Sequence, residues 1–304
     1  MSSKLQDVHP LVSIIVVSYN QSQYISQILD SIAAQTYQNF ELILGDDAST
    51  DDSVAKFNNW LEDKVFSPKK VFHKHNTGLP AVLNECVAMA SGKYVKIIAA
   101  DDYLDENYLQ KCVSKMEELG EEYGIIYTNV EGVNEKNEIV PFVDYNRFWG
   151  NTTKEQFRKL TREGNRIAAP SVMMRTKALF ETGPYDESLL IEDFDRWLRI
   201  NKKYWIAYIP EKLVYYRQHN TNVSALKLNR IRAEGLIVKM KHDEEGLAKM
   251  VINSKVRSYF LEVSEVPGNL IEKYDSYPYH EKFLNFFMKN RLPKKLYKVL
   301  RILV

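Results

Sequence analysis

The chain has 304 residues, 45% of them apolar and 27% charged, with 41 Lys+Arg against 40 Asp+Glu. That is enough apolar material for one large core or two smaller ones, and it excludes a chain disordered throughout. A formal net charge of +1 argues against bulk electrostatic binding of nucleic acid. The two cysteines, Cys86 and Cys112, exclude a disulfide framework and a four-cysteine zinc site.

The longest apolar run, around Val12–Val17, is far short of the ~18–20 residues a spanning helix needs. Residues 1–7 lack the charged-then-apolar pattern of a secretory signal, so a cytoplasmic setting is expected. Val12–Val17 is β-branched and predicts a strand buried on both faces, ending at Ser18-Tyr19-Asn20. Ile25, Ile28, Leu29, Ile32 and Ala33 recur at helical spacing from Tyr24 onward. Phe40–Gly45 predicts a second strand ending in Asp46-Asp47. Ser49-Thr50 and the acids after it open a helix with Val54, Phe57, Trp60 and Leu61 on one face. Lys70–Lys74 predicts a third strand. After Asn76-Thr-Gly comes a helix from Leu79 to Ala90, closed by Gly92. Tyr94–Ala99 predicts a fourth strand, stopping at Asp101-Asp102. A helix over Glu106–Leu119 and a strand around Ile125–Tyr127 follow.

This alternation of strand and helix predicts an α/β sheet flanked by helices. Farther on, the pattern predicts a hairpin strand over Glu138–Val143, a helix over Thr153–Thr161 and a strand over Ser171–Arg175. A short helix, Lys177–Glu181, and a longer one, Glu192–Lys202, come next. Two short strands are expected at Trp205–Ile209 and Leu213–Arg217. From about Thr221 the pattern is helical to the end, placing a soft boundary between residues 1–220 and 221–304.

In an open sheet of this kind ligands sit beyond the carboxyl ends of the strands. Three such ends carry Ser18-Tyr19-Asn20, Asp46-Asp47 and Asp101-Asp102. Adjacent buried acids are costly unless something neutralises them. Mg²⁺ or Mn²⁺ does so, taking one or two carboxylates plus substrate phosphates. Asp101-Asp102 is thus a candidate half-site for a metal–diphosphate complex, although Asp102 also suits a helix cap. Asp47 suits a base N–H or ribose hydroxyl, and equally an N-cap. Asp193, beside Glu192 and Asp195, is a candidate base for an acceptor hydroxyl. An Asp in a first turn also complements the helix dipole.

Several segments together resemble the inverting, GT-A fold glycosyltransferases of family 2. They are Val12–Asn20, Gln35–Asp51, Asn76-Thr-Gly, Ala90–Tyr94, Ala100-Asp-Asp, Gly183–Glu187, Glu192-Asp193 and Tyr216–His219. The resemblance implies a Rossmann-like, mixed and mostly parallel sheet over residues 1–220, with a helical C-terminal extension. It implies that Val17, Ser18, Tyr19, Asp46 and Asp47 hold the nucleoside of a UDP-sugar and that Asp101 positions the nucleotide sugar. Asp102 would bind Mn²⁺ or Mg²⁺. Asp193 would be the base of a single displacement onto a saccharide or lipid-linked saccharide hydroxyl, in bacterial polysaccharide assembly. Arg217 could pair with phosphate and His219 could ligate the metal or contact the diphosphate; both could instead be structural. Two departures stand out. Ala99 occupies a position where the family often has an acid, which implies looser metal binding. Ala48 stands in place of a common glycine, a small change. His9, His73, His75, His242 and His280 show no ligand spacing and read as surface or packing residues.

Thr221–Ser224 reads as a loop that closes over the donor. Residues 280–304 carry seven Lys/Arg and one acid, Glu281, among aromatic and aliphatic residues. That composition suits either an interfacial helix on an anionic membrane, broken by Pro293, or a terminal helix packed on the domain. A nucleotidyltransferase or a dehydrogenase would want a glycine-rich phosphate loop, and no G-x-G-x-x-G is present. A catalytically inactive saccharide-binding or scaffold subunit of the same fold is the remaining alternative.

Overall fold

The structure is a computed structural model that describes residues 9–62, 64, 66–149, 152–222 and 226–301. The segment 1–7, Val223 and Ser224 of the expected closing loop, and the last three tail residues lie outside these. The chain divides into two compact units. The first holds residues up to Phe157, Arg166–Ser188 and Arg199–His219; the second holds Arg158–Asn165, Leu189–Leu198 and the chain from Asn220 on.

Among the described residues the strands are β1 (Val12–Ser18), β2 (Phe40–Asp46), β3 (Lys69–Phe72), β4 (Tyr94–Ala99), β5 (Tyr103–Leu104), β6 (Tyr123–Val133), β7 (Val172–Arg175) and β8 (Trp205–Arg217). They form one sheet in the order β3-β2-β1-β4-β7-β6-β8-β5. β1 pairs in parallel with β2 and β4, β2 with β3, and β6 with β8; β7 is antiparallel to β4 and β6, and β5 to β8. The sheet is mixed and mostly parallel, as expected.

The first helices are α1 (Ile25–Ala33), α2 (Ser53–Glu62), α3 (Leu79–Ala88), α4 (Tyr108–Leu119), α5 (Asn146–Trp149), α6 (Lys154–Glu163), α7 (Thr176–Glu181) and α8 (Glu192–Lys203). α1 presents Ile25, Ile28, Leu29 and Ile32 to the core, all fully buried. They join Val12, Ile14 and Val16 of β1 and Ile98 of β4 in one apolar cluster. The helix exists because its apolar residues fall on one face at 3.6-residue spacing. α3 lies so close to β2 that a Cβ on Gly45 would meet Val82 Cγ1 at 2.7 Å and Cys86 Sγ at 2.9 Å. Glycine there is a packing requirement.

Two expectations are corrected and one strand is added. Glu138–Val143 forms no strand; Ile139 makes only an isolated bridge to Val133. The pair of short strands expected before residue 218 is one strand, β8. Its pairing with β6 steps from Thr128↔Ile209 to Asn129↔Lys212 and then to Val130↔Val214. These bulges absorb Pro210 and Glu211, which lack the pattern of a paired strand. β5, two residues long, had no signal.

The second unit is helical in its C-terminal part: α9 (Leu228–His242), α10 (Lys249–Glu262), α11 (Gly268–Ser276), α12 (Lys282–Lys289) and α13 (Lys294–Leu300). Its core gathers Ile252, Val256, Leu270, Tyr274, Leu284 and Phe287. α12 and α13 turn Leu284, Phe287, Met288 and Tyr297 into that core and leave Lys282, Phe286, Lys289, Lys295, Leu296, Lys298 and Val299 exposed. Among the described residues no helix is long and apolar enough to cross a membrane.

Candidate active site

The site grows from the sheet register. Ser18 lies beside Asp46, and Val17 beside Ala99. Because these strands are parallel, their carboxyl ends open at one edge, where an open α/β sheet binds ligands. Two loops leave that edge and are laced together. The Asn20 amide donates to Ser49 Oγ (2.8 Å), the Gln21 amide to Ser53 Oγ (3.0 Å) and the Ser22 amide to Asp51 Oδ2 (3.0 Å). The Thr50 amide returns a bond to Asn20 Oδ1 (2.8 Å). Both loops turn through the left-handed region, at Asn20 (φ 54°) and Ala48 (φ 62°).

Left-handed backbone costs an L-residue about 1–2 kcal/mol, whereas glycine costs about 0.5–1 kcal/mol in unfolded-chain entropy. Ala48→Gly therefore stabilises the fold by a fraction of a kcal/mol up to about 1 kcal/mol. Urea unfolding reads it as a higher midpoint at unchanged slope. An unchanged or lower midpoint refutes it.

Asp46 is fully buried and wraps the turn: Oδ1 accepts from the Ser49 amide (2.8 Å) and Oδ2 from Ser49 Oγ (2.6 Å). Asp47 is held by the loop before α3. Its Oδ1 accepts from the Thr77 amide (2.8 Å) and Thr77 Oγ1 (3.1 Å), and its Oδ2 from the Gly78 amide (2.8 Å). Gly78 sits at φ 93°, which glycine tolerates and other residues rarely adopt. His73, read from sequence as ordinary packing, lies against this group. Its Nδ1 is 3.3 Å from Asp47 Oδ1 and 2.8 Å from Thr77 Oγ1, and its Nε2 is 3.3 Å from Glu85. The sequence places it within the expected third strand, Lys70–Lys74, and carries no signal for these contacts. Val17 is buried and Tyr19 is 49% exposed. Ser18 Oγ and the Tyr24 hydroxyl are buried without a hydrogen-bond partner.

The link between β4 and β5 carries Asp101 and Asp102, whose side chains part company. Asp101 Oδ2 faces His219 Nε2 at 2.9 Å. The Tyr24 ring lies beside His219, with centroids 5.7 Å apart. Asp102 is buried, and its Oδ1 accepts from the Arg217 amide at 2.8 Å. Burial, and then the charge of Asp101, push its carboxyl well above the usual carboxylate range. Nearby Lys96 is fully buried; its Nζ donates to the Pro170 and Val172 carbonyls, and burial pulls it down to about 7.

The Arg217 guanidinium is buried. Nε donates to the Asp101 carbonyl (2.9 Å), Nη1 to the Asn134 carbonyl (2.8 Å), and Nη2 to Gln27 Oε1 (2.7 Å) and Asn137 Oδ1 (2.8 Å). These bonds make it a strut of the site rather than a free arm for phosphate.

Asp193 belongs to the second unit, in the first turn of α8. Its Oδ1 accepts from the Phe194 amide (2.6 Å) and its Oδ2 from Asn165 Nδ2 (3.1 Å). Desolvation raises its carboxyl above the ordinary range. Neighbouring Glu192 is also pushed well above the carboxylate range, by burial first and then by the charges of Asp193 and Glu234. Asp195 is buried and engaged by His242 Nε2 (2.8 Å) and Lys241 Nζ (3.1 Å).

The family model described as glycosyl transferase family 2 matches residues 13–183, more than half of the chain. An uncharacterized glycosyltransferase of Haemophilus influenzae is 28% identical over 273 residues, 81% of this chain and 77% of its own length. One from Rickettsia bellii is 29% identical over 227 residues, 74% of this chain; the chain spans only 31% of that longer protein. Among solved structures, Staphylococcus aureus TarS 1–349 in complex with UDP-GlcNAc superposes with a TM-score of 0.67 at 18% identity, covering 92% of this chain and 87% of that one. The mannosyltransferase PcManGT from Pyrobaculum calidifontis, in complex with GDP-Man and Mn²⁺, gives 0.59 at 15% identity, covering 93% and 84%. These likenesses are of the fold, GT-A with C-terminal helices. By the matched family model and the glycosyltransferases it resembles along most of its length, the chain belongs to glycosyl transferase family 2.

Proposed function

We propose that the protein transfers a sugar from a UDP-sugar to a hydroxyl of a saccharide or lipid-linked saccharide, with inversion at the anomeric carbon. The observation that carries this reading is the edge at the ends of β1, β2 and β4, where Asp47 is fixed by the Thr77 and Gly78 amides and Asp101 faces His219. Val17, Tyr19 and Asp47 form the nucleoside side, with Asp46 holding the turn behind them through Ser49. The buried, unpartnered Ser18 Oγ supports a polar ligand there, because such an atom costs about 1–3 kcal/mol unless satisfied. That TarS has been solved with UDP and with UDP-GlcNAc supports the donor class.

A divalent cation fits this edge. Among the described residues no cluster of three or more His, Cys, Asp or Glu could hold a metal. The Asp101–His219 pair instead suits an ion completed by water and substrate phosphates, Mn²⁺ or Mg²⁺. We assign the ligand role to Asp101 and His219. Asp102, the ligand expected from sequence, fixes the backbone at Arg217 behind them. The bound ion supplies charge stabilisation for the departing diphosphate.

Asp193 acts as the base. It takes the proton from the acceptor hydroxyl; that oxygen bonds to the anomeric carbon opposite UDP while the bond to UDP breaks. A raised carboxyl pKa suits this task, since proton affinity and the charged form must both be available near the working pH. A donor screen for UDP release tests the reading. Release from at least one UDP-sugar in the presence of acceptor is expected. UDP binding with no turnover across a broad acceptor panel would instead favour the scaffold alternative.

The setting we propose is cytoplasmic, in polysaccharide assembly, with peripheral contact to an anionic membrane through residues 280–304. The support is the outward face of α12 and α13, where exposed Phe286, Leu296 and Val299 stand among exposed lysines. In liposome flotation the full chain rises with anionic vesicles. Lys295→Glu with Lys298→Glu abolishes this; flotation equal to wild type removes the idea.

A further inference from the structure

We propose that Arg147 and Arg166, set over the ring of Phe148, form a receiving site for an oxyanion carried by the acceptor saccharide; this rests on the transferase reading above. The Arg147 guanidinium lies 4.6 Å from the Phe148 centroid and that of Arg166 lies 4.8 Å from it. The two cations are therefore closer together than the sum of those distances, within about one Debye length at moderate salt. Like charges that close repel, and an oxyanion bound by both offsets the repulsion.

Among the described residues neither guanidinium has an ion-pair partner. The acid nearest Arg147 in sequence, Asp144, has its Oδ1 held by Asn129 Nδ2 and the Asn146 amide. Arg166 Nε is buried without a hydrogen-bond partner. A planar guanidinium fork matches carboxylate and phosphate oxygens two at a time, so a pair of forks on one ring suits an oxyanion better than a neutral group.

The surroundings favour a sugar-borne anion. From Phe148 a track of half-buried rings leads to Tyr145 (centroids 6.0 Å apart), Phe142 (6.4 Å) and Tyr216 (4.8 Å). Tyr216 is the residue before Arg217, whose side chain braces the Asp101 carbonyl. Aromatic faces take the apolar side of pyranose rings, with polar groups left at the rim. Among the described residues neither arginine hydrogen-bonds to Asp101 or His219, the pair assigned to the donor diphosphate.

Calorimetry at constant ionic strength tests this on the full chain, with inorganic phosphate, glucuronate, glucose and UDP as probes. Wild type binds phosphate and glucuronate and binds glucose more weakly. Arg147→Gln and Arg166→Gln each weaken both anions by about 10-fold, the effect of one charged hydrogen bond, and leave UDP affinity unchanged. UDP binding also certifies that each variant is folded. Equal phosphate affinity in wild type and double variant overturns the proposal, and so does competition between phosphate and UDP. Binding of phosphate without glucuronate overturns the acceptor assignment. Loss of UDP binding in wild type would sink the transferase reading instead.

Discussion

Asp193→Asn lowers turnover by about 10²- to 10⁴-fold, the range for a lost acid or base group, while UDP binding stays near normal. Asparagine keeps the size of the side chain and can still accept from the Phe194 amide, so the helix start is preserved. What goes is the capacity to take a proton. The pH profile adds a second reading. The base works deprotonated, and desolvation raises its pKa, so activity falls as pH drops through a value above the ordinary ~3.9 of aspartate. The sign for stability is opposite to that of a salt-bridged acid. A raised folded-state pKa contributes stability that is complete below the unfolded pKa and lost as pH rises through the folded one. Removing the charge thus does not lower the melting temperature at neutral pH, and lost turnover cannot be blamed on unfolding. Asn165→Ala, which removes a donor to the charged form, moves the acid limb higher. Near-normal turnover in Asp193→Asn means the base lies elsewhere.

Asp101→Asn and Asp102→Asn are expected to behave differently although the residues are neighbours. Asp101→Asn removes an anionic oxygen from the pair facing His219 and weakens Mn²⁺-dependent UDP binding by more than the ~10–100-fold typical of an outer-shell change. Asp102→Asn keeps an oxygen for the Arg217 amide and replaces a carboxyl whose charged form burial already disfavours. It leaves the fold intact and affects UDP binding less. Calorimetry with UDP, with and without Mn²⁺, decides the matter. If Asp102→Asn is the more damaging, Asp102 is the ligand that the family resemblance implied.

How far the sequence reveals the molecule depends on the type of residue. β1, β2 and β4 are mostly apolar and rich in β-branched or aromatic residues, each interrupted by one polar residue in its body (Ser13, Glu41, Lys96), and α1 carries its buried face at regular spacing, so these elements are legible from local pattern. β8 was split because Pro210, Glu211 and Lys212 look like a break; only pairing with β6 shows that bulges carry the strand through. Glu138–Val143 is apolar enough to read as a hairpin strand but finds no ladder beyond the Val133 bridge. The acids at the strand ends were visible because burying them demands a reason. Their division of labour was not. Consecutive residues in an irregular link aim their side chains according to local backbone angles, which no periodicity encodes. His73 was missed for a related cause: its neighbours Asp47, Thr77 and Glu85 are brought to it by the fold.

The dipeptide Asp101-Asp102 also occupies a strap. β4 sits in the middle of the sheet order and β5 at its end, yet only residues 100–102 separate them. β5 clips onto β8 through Tyr103↔Tyr215 and Leu104↔Val214. The residues proposed to meet the donor phosphates thus double as the stitch that keeps the margin of the sheet from peeling open. Occupancy by nucleotide and slow amide exchange at Leu104 and Val214 then rise together, so a ligand screen could be run by deuterium uptake alone.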